Sequence, residues 1–355
     1  MKKLFDFKNL GSFLLILSVL VSSCKQEANF HPISSESETK TLKMSGVSEV
    51  KGDFKVENGV LHFSTPNALV DVLEQLRHYD ISERRNFGVN IGFTSMLNGF
   101  SDVLLKSSTF EEKDSKFAFL KQNDDIINYD DDGIISFKIA NPYLASILDR
   151  KGFLYVGKAV YKFTDFGEAI ALDGDKTKLE NVVSKTKSDK KVKIFVTKED
   201  LNTRAACGIS QFRTQTFNDR AGKMEAIART SAFYNGEDPN TAEPFYDIYN
   251  TSYTYGVPFK KKCNIFGNNC TFENYSTQNR LSVNHQLVSY NGLGAYGDNL
   301  SYANSWNSID YNGTYAYFSS IPDSQISQYW PKFVSMSPNR YQMTNTSVDI
   351  QIFCN

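Results

Sequence analysis

An α+β N-terminal domain followed by an all-β antiparallel sandwich domain is the fold class that the sequence predicts. Three observations support it. Between residues 53 and 163, pairs of short apolar runs around Gly-containing turns alternate with stretches of helical periodicity. Residues 173–201 are charged and lysine-rich, through Lys176, Lys178, Lys185, Lys187, Lys190, Lys191 and Lys193, and read as a solvated linker. Beyond them Tyr, Asn, Ser and Thr dominate, helical periodicity disappears, and Asn-Gly pairs recur at Asn235-Gly236, Asn291-Gly292 and Asn312-Gly313, as expected of short strands between turns.

The chain opens with Lys2, Lys3 and Lys8, followed by an apolar run over residues 13–21 and by Leu20-Val21-Ser22-Ser23-Cys24. A cationic start, about nine apolar residues and small side chains before a cysteine form a secretory signal, far short of the roughly 20 residues of a spanning helix. The cysteine makes it a lipobox candidate: Ser22 and Ser23 let a peptidase approach the backbone, and the Cys24 thiol can carry the lipid; the competing reading is a plain signal peptide whose cysteine is incidental. Residues 25–51 are polar, with Ser34, Ser35, Glu36, Ser37, Glu38 and Thr39 in succession, and read as a flexible tether. Lys25 is not the aspartate that commonly retains lipoproteins in an inner membrane, so the expected location is the outer membrane, lipid-anchored. Periplasmic and surface-facing display both stay open. The resulting division is signal peptide 1–23, tether 24–51, α+β domain 52–170, linker 171–204 and sandwich 205–355.

Residues 53–63 predict a hairpin, with Phe54 and Val56, a turn at Glu57-Asn58-Gly59, then Val60, Leu61 and Phe63. A helix follows: Thr65 caps it, Pro66 suits its first position, and Leu69, Val72, Leu73 and Leu76 share a face. Residues 82–105 continue as helix with at least one break, since Gly88, Gly92 and Gly99 weaken them; their buried set is Phe87, Ile91, Phe93, Met96, Leu97 and Phe100. Another helix is expected over 110–122. A second helix-plus-hairpin unit has Asn141 as cap, Pro142 as first residue, Leu144, Ile147 and Leu148 as apolar face, and Gly152 as stop. Residues 153–156 and 159–163 then pair around Gly157 and Lys158.

The segments NGVLHFSTPNALVDVLEQL, FGVNIGFTSML and NPYLASILDRKGFLYVGKAVYKFTDFG resemble recurrent blocks of uncharacterised lipoproteins from Bacteroidota-type bacteria. In these, a hairpin and helix lead to a small Gly-containing strand pair. The resemblance covers roughly residues 50–170, less than half of the chain. It implies location and fold, and no catalytic residues.

In the second half, Val348, Ile350, Ile352 and Cys354 alternate with Asp349, Gln351 and Phe353 as a strand with one core face. Removing Cys24 from the five cysteines leaves Cys207, Cys263, Cys270 and Cys354, an even number in an oxidising compartment. Six residues separate Cys263 from Cys270, and Gly267-Asn268-Asn269 supplies a tight reversal, so these two can pair across a hairpin. Cys207 then remains for Cys354; the competing reading is that both are separately buried small residues.

A formal net charge of −1 gives no field for nucleic acid, and HExxH, GxSxG, P-loop and CxxC patterns are absent. Asn128, Asp130, Asp132, Gly133 and Ile135 match the start of a calcium loop, but Ile139 stands where a bidentate glutamate is needed. An acidic turn is therefore the preferred reading and calcium the alternative; no other cofactor is expected. Trp306 and Trp330, with Tyr290, Tyr296, Tyr302 and Tyr311, lie among asparagines, a setting suited to stacking on a sugar and bonding its hydroxyls. Packing alone is the competing reading. The expected function is non-enzymatic: binding or surface interaction through the C-terminal domain, with a glycan or envelope protein as partner besides the membrane. A structural envelope component is the alternative, and a hydrolase using carboxylates such as Asp124, Asp125, Asp130 and Asp132 is third, because loop pairs in sequence do not place an acid and a base at working distance.

Overall fold

The computed structural model describes residues 50–139, 142–165, 167–180, 191–196, 210–263, 267, 270–289, 295–304, 309–329, 331–343 and 348–354. All lie in the compact unit of residues 36–355. They form mostly antiparallel sheets, with the α-helices in the first part and one 3-10 helix, Asp323–Tyr329, in the second, in keeping with an α+β portion followed by a β-rich one.

The first hairpin is β1 (Phe54–Glu57) and β2 (Val60–Phe63), reversed at Asn58-Gly59, both in positive φ. Helix α1 (Pro66–Arg77) begins as the sequence predicts: Thr65 Oγ1 accepts from Ala68 N at 3.1 Å, and Leu69, Val72, Leu73 and Leu76 are fully buried. The expected break separates α2 (Ile81–Asn90), opened by a reciprocal Asp80–Glu83 capping box, from α3 (Met96–Ser107). Helix α4 (Lys113–Lys121) leads to the two-stranded pair β3 (Ile127–Tyr129) and β4 (Ile135–Phe137). Helix α5 (Pro142–Ala145) is shorter than its apolar face predicts. Ser146 N and Ile147 N bond three residues back, and the Leu148 carbonyl receives Met96 N at 2.8 Å, so the backbone leaves the helix while Ile147 and Leu148 stay in the core.

Strands β5 (Phe153–Val156) and β6 (Ala159–Phe163) fall where expected, β5 lying parallel to β2. Next come β7 (Gly167–Ala171), helix α6 (Thr177–Glu180) and β8 (Val192–Val196). The order β1-β2-β5-β6-β7-β8 makes a six-stranded sheet, so part of the lysine-rich stretch is a sheet edge.

The β-rich portion is built on strands longer than the sequence predicts. β9 (Ser210–Phe217), β10 (Arg220–Glu237), β11 (Pro244–Cys263), β12 (Cys270–Asn274) and β15 (Ile309–Pro322) share one sheet; β13 (Asn279–Ser289), β14 (Ala295–Asn304), β16 (Pro331–Met343) and β17 (Asp349–Cys354) share another. Two expected turns are not turns. Asn235-Gly236 is a register shift near the end of β10, and Asn312-Gly313 pairs with Tyr253 and Ser252 inside β15. Asn291-Gly292 lies outside the described residues.

Alternation along β10 puts Met224, Ala226 and Ala228 into one buried cluster with Leu281 and Val283 of β13, Tyr341 and Met343 of β16, and Val348, Ile350 and Ile352. The core-face expectation for the last strand is thus met up to Ile352. The larger core is continuous from Leu69, Phe100 and Tyr143, through Tyr161 and Phe163, to Phe233, Tyr249 and Phe318.

Candidate functional site

Cys24, Cys207, Tyr290, Trp306 and Trp330 lie outside the described residues. Tyr302 is on β14 opposite Leu281, and Cys354 is on β17 opposite Met336. Cys263 and Cys270 face each other across β11 and β12 and are joined by a disulfide, with Cα atoms 4.0 Å apart. The tyrosines of β11, Tyr246, Tyr249, Tyr253 and Tyr255, are buried within the fold.

The acidic turn between β3 and β4 has a definite local role. Asp130 Oδ1 accepts from Asp132 N at 3.1 Å and from Ile134 N at 2.9 Å, Asn128 Nδ2 donates to the Phe137 carbonyl at 3.4 Å, and the Asp132 carbonyl accepts from Phe272 N of β12 at 2.8 Å. Gly133 closes the turn at φ +76, and a Cβ there would stand 3.4 Å from both Lys116 Nζ and Thr271 Cβ. Among the described residues no group of three or more His, Cys, Asp or Glu side chains could hold a metal ion.

Lys116 is 2% exposed, on the same face of α4 as Leu120. Its ammonium donates to the Phe272 carbonyl at 2.6 Å and to Thr271 Oγ1 at 3.2 Å. Burial pulls its pKa down to about 8, against the upward pull of Glu273 and Asp130. Nearby, Lys262 Nζ donates to the Ser108 carbonyl at 2.6 Å. Helices α3 and α4 are therefore joined to the β11–β12 hairpin through lysine ammonium groups and backbone carbonyls.

A second junction lies between the six-stranded sheet and β10. Strand β9 covers β10 only as far as Ile227. Further along, Ala232 N donates to Glu168 Oε1 and Tyr234 N to Tyr161 Oη, each at 2.6 Å, so side chains of β7 and β6 occupy the edge of β10. Glu168 is completely buried, its Oε2 has no partner, and the facing Arg229, also buried, leaves its Nε unpaired. Arg229 lies over the Phe163 ring at 5.1 Å. Removal from water pushes the Glu168 carboxyl up to about 7, while Arg229 and the Ala232 N–H pull it back.

Two further polar links hold α1. Tyr249 Oη donates to Glu74 Oε1 at 2.7 Å and stands 3.0 Å from Tyr143 Oη, which donates to the Leu73 carbonyl. Tyr317 Oη is 2.6 Å from both Asn67 Oδ1 and Asp247 Oδ2; Asp247 Oδ1 also accepts from Asn235 Nδ2 and Ser320 N, each at 2.9 Å. These groups are spent on fixing one element against another. Chemically, Glu168 has the environment of a proton-binding group and Lys116 that of a shielded amine. The sequence reading missed both. The signals were there: Lys116 sits four residues before a core leucine, and Glu168 directly precedes the apolar run of Ala169, Ile170, Ala171 and Leu172.

No protein-family model matches the chain, and no curated protein is similar to it in sequence. Among solved structures, the crystal structure of a DUF4848 family protein from Bacteroides thetaiotaomicron aligns with 84% of this chain and 100% of its own, at 13% identity and a TM-score of 0.29.

Proposed function

We propose that the protein is a lipid-anchored component of the outer membrane with a non-enzymatic binding or surface-interaction role, its glycan contacts made through Trp306, Trp330, Tyr290 and Tyr302 of a sandwich-like C-terminal portion. The observation that carries this reading is the Leu20–Cys24 lipobox, followed by polar residues up to the folded elements that begin at Phe54. An acylated Cys24 holds the chain at a membrane, each buried CH₂ of its lipid contributing ~0.8 kcal/mol. Lys116, Glu168 and Asp247 each bond to backbone of a neighbouring element, so these buried groups are assigned to the architecture and the proposed contacts to the aromatic residues of the C-terminal portion.

Labelled palmitate should enter the wild-type protein and not Cys24→Ala, and that variant should leave the membrane fraction; unchanged membrane association would end the anchoring part. For the binding part, a glycan array probed with the soluble fragment from Lys51 onward should show ligands that Trp306→Ala and Trp330→Ala lose. A second reading, a structural envelope component, draws on the position of β14 at the end of its sheet, where a neighbouring chain can add a strand.

A further inference from the structure

We propose that the Cys263–Cys270 disulfide is a redox latch that holds β12 over Lys116, so that its reduction by a small dithiol releases this end of the hairpin from α4 and uncovers the lysine amine. Four observations place the parts together. The two cysteines are a directly opposed pair at the tip of β11 and β12, Cys263 exposed and Cys270 half-buried, within reach of a reductant in solution. Strand β12 is only five residues long and lies at the end of its sheet, where it pairs with β11 alone. The next two residues after Cys270 are the ones that enclose Lys116: Thr271 through its hydroxyl and Phe272 through its carbonyl. The amide of Phe272 is the third tie, to the Asp132 carbonyl in the acidic turn.

The covalent bond therefore sits one residue from the contacts that keep an ammonium group enclosed. A buried ammonium is tolerated only while acceptors surround it. Without the cross-link, the unfastened state of the hairpin tip gains conformational freedom, while the enclosed lysine gains hydration on opening. Both changes favour release of β12. The chemistry balances without further reactants: one thiolate of the dithiol attacks a sulfur of the disulfide, the mixed disulfide is resolved by the second thiolate, and Cys263 and Cys270 leave as thiols while the dithiol becomes a cyclic disulfide.

The test is pulse acylation of lysines in the intact protein with an amine-reactive ester, before and after dithiothreitol, mapped by mass spectrometry. Lys162, whose Nζ donates to the Leu179 and Glu180 carbonyls at 3.0 Å, reports on the six-stranded sheet. Reduction should raise the labelling rate at Lys116 on the order of tenfold or more and leave Lys162 unchanged. The Cys263→Ser/Cys270→Ser variant should label Lys116 at the rate of the reduced protein without any dithiol. Equal Lys116 rates in the oxidised and reduced protein would overturn the latch. So would a parallel rise at Lys162, which would mean that the bond supports the whole fold and not this one contact.

Discussion

The ring of Tyr341 rests on the bare backbone of Gly256: a Cβ at that glycine would stand 2.1 Å from Tyr341 Cδ2. Tyr341 is completely buried and donates from its hydroxyl to Asn279 Oδ1 of its own four-stranded sheet at 2.9 Å, while its ring on Gly256 of β11 joins that sheet to the neighbouring one. Gly256→Ala cannot be absorbed by a flexible side-chain end, because the ring itself is in the way. The expected loss is about 1–3 kcal/mol, as for other overpacked cores, read from the urea midpoint. A variant of wild-type stability would show that the two sheets do not meet as described.

Glu168 makes stability depend on pH with a definite sign. Its carboxyl is held at about 7 in the folded protein against 4.5 for an ordinary glutamate. The folded state therefore binds this proton more tightly than the unfolded chain. The contribution is complete below about pH 4.5 and is lost as pH rises through about 7, up to roughly 3 kcal/mol. Glu168→Gln keeps an acceptor for Ala232 N and removes the titration. Between pH 5 and 8 the thermal midpoint of the Gln variant should gain on that of the wild type; parallel curves would show that Glu168 stays ionised beside Arg229.

Tyr143 and Tyr249 lie with hydroxyls 3.0 Å apart between α5 and β11. Each Tyr→Phe change removes a buried hydroxyl and should cost about 1–2 kcal/mol. Because the rings share partners around Leu73 and Glu74, the double variant should lose less than the sum, with a coupling on the order of 0.5–1 kcal/mol. Strict additivity in a denaturant series would separate the two groups energetically.

The continuous core bears on how the halves behave when cut. Leu69 and Tyr143 share it with Phe233 and Tyr249. Trypsin cleavage within the lysine-rich residues 171–204 should therefore give two fragments that elute together under native conditions and separate in urea. Fragments that part without denaturant would establish two independent domains.

Local chemistry was readable in advance. Thr65-Pro66 starts a helix because a hydroxyl and a missing N–H both suit its first turn, and Asn58-Gly59 reverses a hairpin because both residues tolerate positive φ. Partners distant in the chain were not readable. Lys116 is buried because of Thr271, 155 residues away, and Glu168 because of Ala232, 64 residues away. Composition failed for a related reason. Asn312-Gly313 has the chemistry of a turn, yet pairing with β11 holds it in a strand, since the sheet as a whole outweighs a local preference.

Strand β11 spends one edge entirely on β10 and divides the other, Phe245–Gly256 against β15 and Phe259–Cys263 against β12. The two parts of that divided edge close at very different times. β12 follows β11 immediately, whereas β15 arrives only after β13 and β14. A nascent chain thus carries a row of unsatisfied amides and carbonyls along most of β11 until Ile309–Pro322 emerges. Pairing over such separations is slow, and in that interval the exposed edge is open to strands of other chains. The vulnerable moment for this protein falls during its own assembly, and a binding chaperone that shields an extended edge would act there.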